Sequence, residues 1–110
     1  MNYKEILETK LQTIFHNEHY RAKVADALLQ YGKTAEEEKP FLVRLAILKN
    51  AGVEFEAIEA TIAIAKSDFR HVLDQAEFPR QTANQNCRDR DQMMAFMDED
   101  QAEWTKFLKY

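Results

Sequence analysis

Apolar side chains recur every three or four residues along most of the chain, which is the spacing of amphipathic helices. The pattern predicts a first helix over 3–15 and a second over 18–31. Asn17 stands where it can cap the start of the second helix, and Gly32 follows its end. The first part of the chain is therefore expected to form two amphipathic helices joined by a short turn.

Two further helices are predicted in the middle of the chain. The third, over 39–51, contains the run 41–48, in which Arg44 is the one polar residue. A helix that is apolar on every side belongs in the centre of a domain. After Gly52 the apolar spacing continues and predicts a fourth helix over 54–78, roughly 37 Å long at the usual rise per residue. Such a helix would span the whole domain.

A polar stretch separates these helices from the C-terminal end of the chain. We expect residues 1–79 to form a helical core and 80–92 to form a polar connector. Residues 93–110 are expected to be an amphipathic helical segment of the same domain.

Two interpretations of the C-terminal end stay open. Asp100 followed by Glu103 has the spacing of a helix start, which predicts two short helices over 89–97 and 101–109. A single continuous helix is the alternative.

The predicted fold class is all-α, a compact bundle of about four main helices plus short C-terminal helices. Glycine and proline each occur twice in 110 residues, too rarely for the many turns of a β-sandwich or barrel. An apolar fraction of 45% and a charged fraction of 31% are ordinary for a globular domain and exclude a wholly disordered chain.

The charge is mildly acidic and evenly spread. The formal net charge is −4, and no segment is a basic patch, so we expect no nucleic-acid partner. The apolar stretches are too short to span a bilayer, so we expect no membrane partner. A single cysteine, Cys87, and the lack of a secretion signal favour the cytoplasm. Nothing in the sequence predicts a cofactor.

Arg44 is the most informative candidate residue, because a buried guanidinium needs a partner. One interpretation is an internal ion pair with the fourth helix, or a stem that reaches water. The other is an arginine that binds an anion at a pocket. The candidates for completing a ligand site are Asp68, His71, Asp74 and Glu77. Carboxylates at this spacing orient an imidazole for acid–base chemistry, but a solvated charged helix face has the same pattern.

His16 and His19 form a second candidate group, on either side of Asn17. On one continuous helix they would share a face and bind a transition metal. With a helix break at Asn17 they are instead ordinary surface histidines at two helix ends.

The C-terminal end is rich in methionine and aromatic side chains, which make a soft and adaptable surface. The candidates for a partner or dimer surface are Met93, Met94, Phe96, Met97, Trp104 and Phe107. The alternative is that this segment folds back and packs on the core.

The segment 45–58 looks like a helix-turn-helix with its turn at Gly52. In that arrangement Glu54, Glu56 and Glu59 would face the phosphates of DNA, with no arginine to replace them. The same pattern forms any tight corner between helices, so electrostatics disfavour DNA binding.

The segments 43–49, 65–73 and 76–79 resemble those of a family of small bacterial proteins of unknown function. The resemblance covers the middle of the chain. It implies a bacterial, soluble, all-helical protein and brings no activity with it.

The sequence contains no catalytic motif, and its two glycines exclude a glycine-rich phosphate loop. We therefore expect a small non-catalytic interaction or regulatory protein that self-associates as a homodimer. The alternative is an anion- or metal-binding helical domain, a class that includes enzymes. A third hypothesis, which electrostatics disfavour, is DNA binding through the helix-turn-helix segment.

Overall fold

The computed structural model describes residues 2–109, and every regular element in that range is an α-helix. This confirms the predicted all-α class. Met1 and Tyr110, which begin and end two of the predicted ranges, lie outside the described residues. The helices are α1 (Tyr3–Ile14), α2 (Glu18–Leu28), α3 (Pro40–Ala51), α4 (Phe55–Ser67), α5 (Phe69–Glu77), α6 (Pro79–Ala83) and α7 (Arg90–Lys109).

Helix α3 is the centre of the bundle. It packs against α1, α4 and α5, and all six residues from 43 to 48 are buried, Arg44 among them. This confirms the central helix that its apolar run predicted. Within residues 2–109, no helix combines the length and the apolarity needed to cross a membrane.

The single helix predicted over 54–78 is wrong, because the chain breaks at Asp68 between α4 and α5. The backbone of Asp68 leaves the helical region, and its carboxylate accepts the N–H of His71 at 3.3 Å. A short acidic side chain that bonds the backbone in this way starts a new helix. The apolar spacing continues across the break because α4 and α5 both pack against α3.

The C-terminal end forms one helix, α7, rather than two. At 1.5 Å per residue it is roughly 30 Å long, in a molecule whose longest dimension is 47 Å. The stretch 80–92, predicted as a connector, contains most of α6 and the start of α7. Asp100 does not divide α7, because its carboxylate is buried against α6.

A tight loop after α2 brings Gly32 against α3. The carboxylate of Glu37 accepts the N–H of Gly32 at 2.7 Å and that of Lys33 at 3.3 Å. These backbone hydrogen bonds, that of Gly32 first, hold the pKa of Glu37 below its ordinary value. Gly32 has a φ of +103°, a conformation that side chains disfavour.

We expect Gly32→Ala to lower the free energy of unfolding by roughly 2–3 kcal/mol. The added Cβ would lie 2.8 Å from Nη2 of Arg44 and 2.8 Å from Cβ of Pro40, and the positive φ adds strain. Gly52→Ala is the matched control, because its φ is +75° and no atom lies within 4 Å of the new Cβ. Chemical denaturation measures both losses. Equal losses would show that the close approach of the new Cβ to Arg44 and Pro40 adds nothing to the destabilisation.

Candidate functional site

Arg44 closes the C-terminal end of α2. Its Nε donates to the carbonyl oxygens of Leu28 at 3.0 Å and Tyr31 at 3.2 Å, and its Nη2 donates to Tyr31 at 2.6 Å. The guanidinium also lies over the ring of Phe41, 5.3 Å from its centroid. The last carbonyl groups of a helix have no partner within the helix, and a cation there satisfies them. Arg44, which lies on α3, therefore joins α3 to the C-terminal end of α2.

The carboxylates expected beside Arg44 do not pair with it. Within residues 2–109 no carboxylate forms an ion pair with this guanidinium. Asp68 caps α5, Asp74 is exposed, and Glu77 is half-buried. Burial raises the pKa of Glu77, and Lys39 partly opposes this. The partners of Arg44 are backbone carbonyls because the end of α2, rather than α5, lies over its side chain.

His71 is exposed on α5, where it lines a shallow groove together with Asn50 and Ile64. Arg44 does not line this groove. The five ligand-binding candidates are thus not brought together into one site with the buried guanidinium.

His16 and His19 are both exposed, with Asn17 capping α2 between them. The break at Asn17 places His16 in the link between the helices and His19 in the first turn of α2. In the part of the chain that the structure describes, no three metal-binding side chains gather into a cluster.

Asp100 is a second buried charge, and its role was missed at the sequence level. Its side chain is 0% exposed. One oxygen accepts the backbone N–H and the Nη1 of Arg80 at 3.1 and 3.0 Å. The other accepts the backbone N–H and the Nε2 of Gln81, both at 3.1 Å. The carboxylate of α7 thus caps the first turn of α6.

One pattern in the sequence points to this role. Asp100 lies four residues from both Phe96 and Trp104, in the middle of an apolar helix face. A charge on such a face needs a buried partner, as Arg44 does in its own apolar run.

Further charges surround Asp100. Arg80 also contacts Glu99 at 3.1 Å and Glu103 at 2.6 Å, and Glu103 lies 3.5 Å from Lys49 of α3. Burial opposes ionisation of Asp100, but the hydrogen bonds from Gln81 and Arg80 outweigh it, so its pKa lies below the ordinary value. This network joins α6 and α7 to the core.

The C-terminal half of α7 packs on the core. Trp104, Phe107 and Leu108 contact the buried cluster, and the rings of Trp104 and Phe107 stack 5.7 Å apart. Nζ of Lys10 lies 4.4 Å from the centroid of Phe107. Two of the six predicted partner residues, Trp104 and Phe107, therefore contribute to the fold.

The N-terminal half of α7 is different. Met93 and Phe96 are half-buried, but they are not part of the apolar cluster formed by the described core residues. Met94 is 56% exposed and Met97 is 50% exposed. Met94 and Met97 of the predicted surface are thus open to solvent, whereas Met93 is half-buried.

The exposed methionines belong to a face with a symmetrical spacing. Arg90, Met94, Met97 and Gln101 are all exposed and follow one another at intervals of four, three and four residues. Residues at these intervals lie on one side of a helix. We call these four residues the Met94–Met97 face. Its spacing is the same when the helix direction is reversed.

No family model, no curated protein and no solved structure matches this chain.

Proposed function

We propose that this chain is a small interaction protein that forms a homodimer through the Met94–Met97 face. The observation that carries the proposal is the exposure of Met94 and Met97 on the half of α7 that does not pack on the core. Flexible, polarisable methionine side chains are common on protein interaction surfaces.

The symmetry of the face favours a second copy of the chain as the partner. A two-fold interface uses the same patch on both subunits, so the patch must be complementary to itself. When two α7 helices pair antiparallel, Met94 contacts Met97 of the second copy. Arg90 then lies opposite Gln101 of the second copy, whose amide oxygen accepts a hydrogen bond from the guanidinium. No two like charges meet along the centre of the face.

The size of the face sets the expected strength of association. Stable interfaces bury about 800 Å² on each partner. A face of four side chains centred on two half-exposed methionines is small by that standard. We therefore expect an equilibrium between monomer and dimer that shifts with protein concentration.

The double variant Met94→Lys/Met97→Lys is expected to stay monomeric at every concentration at which the wild type dimerises. Two cations on each copy would meet in the antiparallel pair, and the apolar contact would be lost. Analytical ultracentrifugation over a concentration series measures the effect. Because both positions are exposed, we expect the free energy of unfolding to change by no more than about 0.5 kcal/mol.

A matched control is available at the end of α2 and on α4. Leu29→Lys/Ile64→Lys replaces two apolar side chains that are 53% and 47% exposed and lie outside the face. This control should dimerise like the wild type. A wild type that stays monomeric throughout, or a control that is as disrupted as the methionine variant, would refute the proposal.

Other properties support a non-catalytic protein in a reducing compartment. A single cysteine fits the cytoplasm. Glu54, Glu56 and Glu59 are exposed at the start of α4, where they oppose docking of this segment on DNA phosphates. Nε and Nη2 of Arg44 donate to backbone carbonyls of the fold, which weakens the case for an anion-binding domain built around it.

A further inference from the structure

Three of the four methionines of the chain lie within the five residues 93–97. Two of them, Met94 and Met97, are at least half exposed in the monomer, so oxidants in solution reach their thioethers. No other side chain at the centre of the proposed dimer contact is readily oxidised. The face is therefore chemically sensitive at the point where the two copies would meet.

We propose that oxidation of Met94 and Met97 to methionine sulfoxide switches off self-association. This inference rests on the proposed function, and it concerns the regulation of the same face. The oxidant is a peroxide. The thioether sulfur attacks one peroxide oxygen, the S–O bond forms as the O–O bond breaks, and proton transfer yields water. The sulfur loses two electrons, and the peroxide gains them.

The change acts on the dimer much more than on the fold. A sulfoxide is polar, and in the antiparallel pair each one would face the sulfoxide of the second copy, which accepts hydrogen bonds but donates none. In the monomer both sulfoxides stay solvated, because both side chains are half exposed. Helix α7 is held by Asp100 and by the packing of Trp104, which oxidation of this face leaves in place.

We expect oxidation to weaken association by roughly a hundredfold or more, because each dimer would bury four unpaired sulfoxides. Cys87 and the half-buried Met93 are other oxidisable groups nearby. The test therefore uses the Cys87→Ser protein, in which peroxide cannot act through a thiol.

The experiment compares Cys87→Ser with Cys87→Ser/Met94→Leu/Met97→Leu, each before and after hydrogen peroxide. Met1 and Met93 are present in both proteins, so the pair differs only at the two positions in question. Peptide mass spectrometry counts the oxygens gained, ultracentrifugation measures the dissociation constant, and circular dichroism follows helix content.

The expected result is loss of the Cys87→Ser dimer on oxidation, with helix content unchanged, and recovery after treatment with methionine sulfoxide reductases. The dissociation constant of the leucine variant, whatever its starting value, should not change with peroxide. A Cys87→Ser dimer that persists with both residues oxidised would overturn the switch and leave the proposed function standing. An equal loss in the leucine variant, or a fall in helix content, would also overturn it. Absence of any dimer before oxidation would instead refute the proposed function.

Discussion

We expect replacement of Arg44 by methionine to lower the free energy of unfolding by about 3 kcal/mol. The methionine keeps the apolar stem but removes three charged hydrogen bonds to the carbonyl oxygens of Leu28 and Tyr31. Leu28 is the last residue of α2 and Tyr31 lies in the turn after it. The carbonyl oxygen of Leu28 also accepts the N–H of Tyr31 at 3.2 Å, whereas that of Tyr31 accepts no other hydrogen bond among the described residues. The loss is measured by urea denaturation, followed by the helical circular dichroism signal.

Two further variants test whether the lost free energy comes from the hydrogen bonds between the Arg44 guanidinium and the carbonyls of Leu28 and Tyr31. Arg44→Lys keeps the charge but lacks the fork that reaches both carbonyls, so we expect an intermediate loss. Arg88→Met removes an exposed arginine and should change stability by less than about 0.5 kcal/mol. If Arg44→Met behaved like Arg88→Met, the guanidinium would not stabilise the fold, and a ligand-binding role would become the better interpretation.

We expect replacement of Asp100 by alanine to have an effect of similar size, a loss of about 3–4 kcal/mol in the free energy of unfolding. The change removes a fully buried carboxylate, and the backbone N–H groups of Arg80 and Gln81 lose their acceptor. Hydrogen exchange should show that these two amides lose most of their protection. Asp98→Ala, an exposed neighbour on the same helix, is the control and should leave both amides protected. Unchanged protection of the Arg80 and Gln81 amides in Asp100→Ala would show that the Asp100 carboxylate does not cap α6.

The same carboxylate predicts an acid dependence with a definite sign. The pKa of Asp100 is lower in the folded protein than in the unfolded chain, so its ionisation stabilises the fold at neutral pH. This contribution is lost as the pH falls below the ordinary range of a carboxyl group and through the folded pKa. Glu103 acts in the same direction, since its hydrogen bond with Arg80 lowers its pKa. The free energy of unfolding of Asp100→Asn should therefore fall less steeply with decreasing pH than that of the wild type. Denaturation at a series of acidic pH values measures this, and the same pH dependence in both proteins would contradict it.

The central helix shows what local patterns predict well. The run 41–48 is apolar on all sides, and a helix of this kind has no face that favours water, so its burial follows from composition alone. The break at Asp68 shows where the same reasoning fails. Periodicity reports which side chains face the core, and it stays in phase when two successive helices pack on the same neighbour. The capping oxygen of Asp68 was the feature that mattered.

The predicted functional surface divides for a similar reason. Methionine and aromatic residues on α7 share one composition, but Trp104 and Phe107 lie where α7 meets the core, and Met94 and Met97 lie beyond it. The sequence cannot place this boundary, because it depends on where the other helices end in space.

The sequence by itself determined the all-helical class, the buried centre of α3 and the position of Arg44 in an apolar run, since these follow from side-chain hydrophobicity and spacing. The spacing of Asp100 and Glu103 predicted a helix start, whereas Asp100 is a second buried charge. Only the tertiary structure decided what the two charges bind. Arg44 reaches carbonyls 13 and 16 residues away, and Asp100 reaches N–H groups 19 and 20 residues away. Such partners are backbone groups near helix ends, and every residue type carries a carbonyl and every type except proline an N–H. Their identity therefore depends on how the helices pack, and no local pattern encodes it.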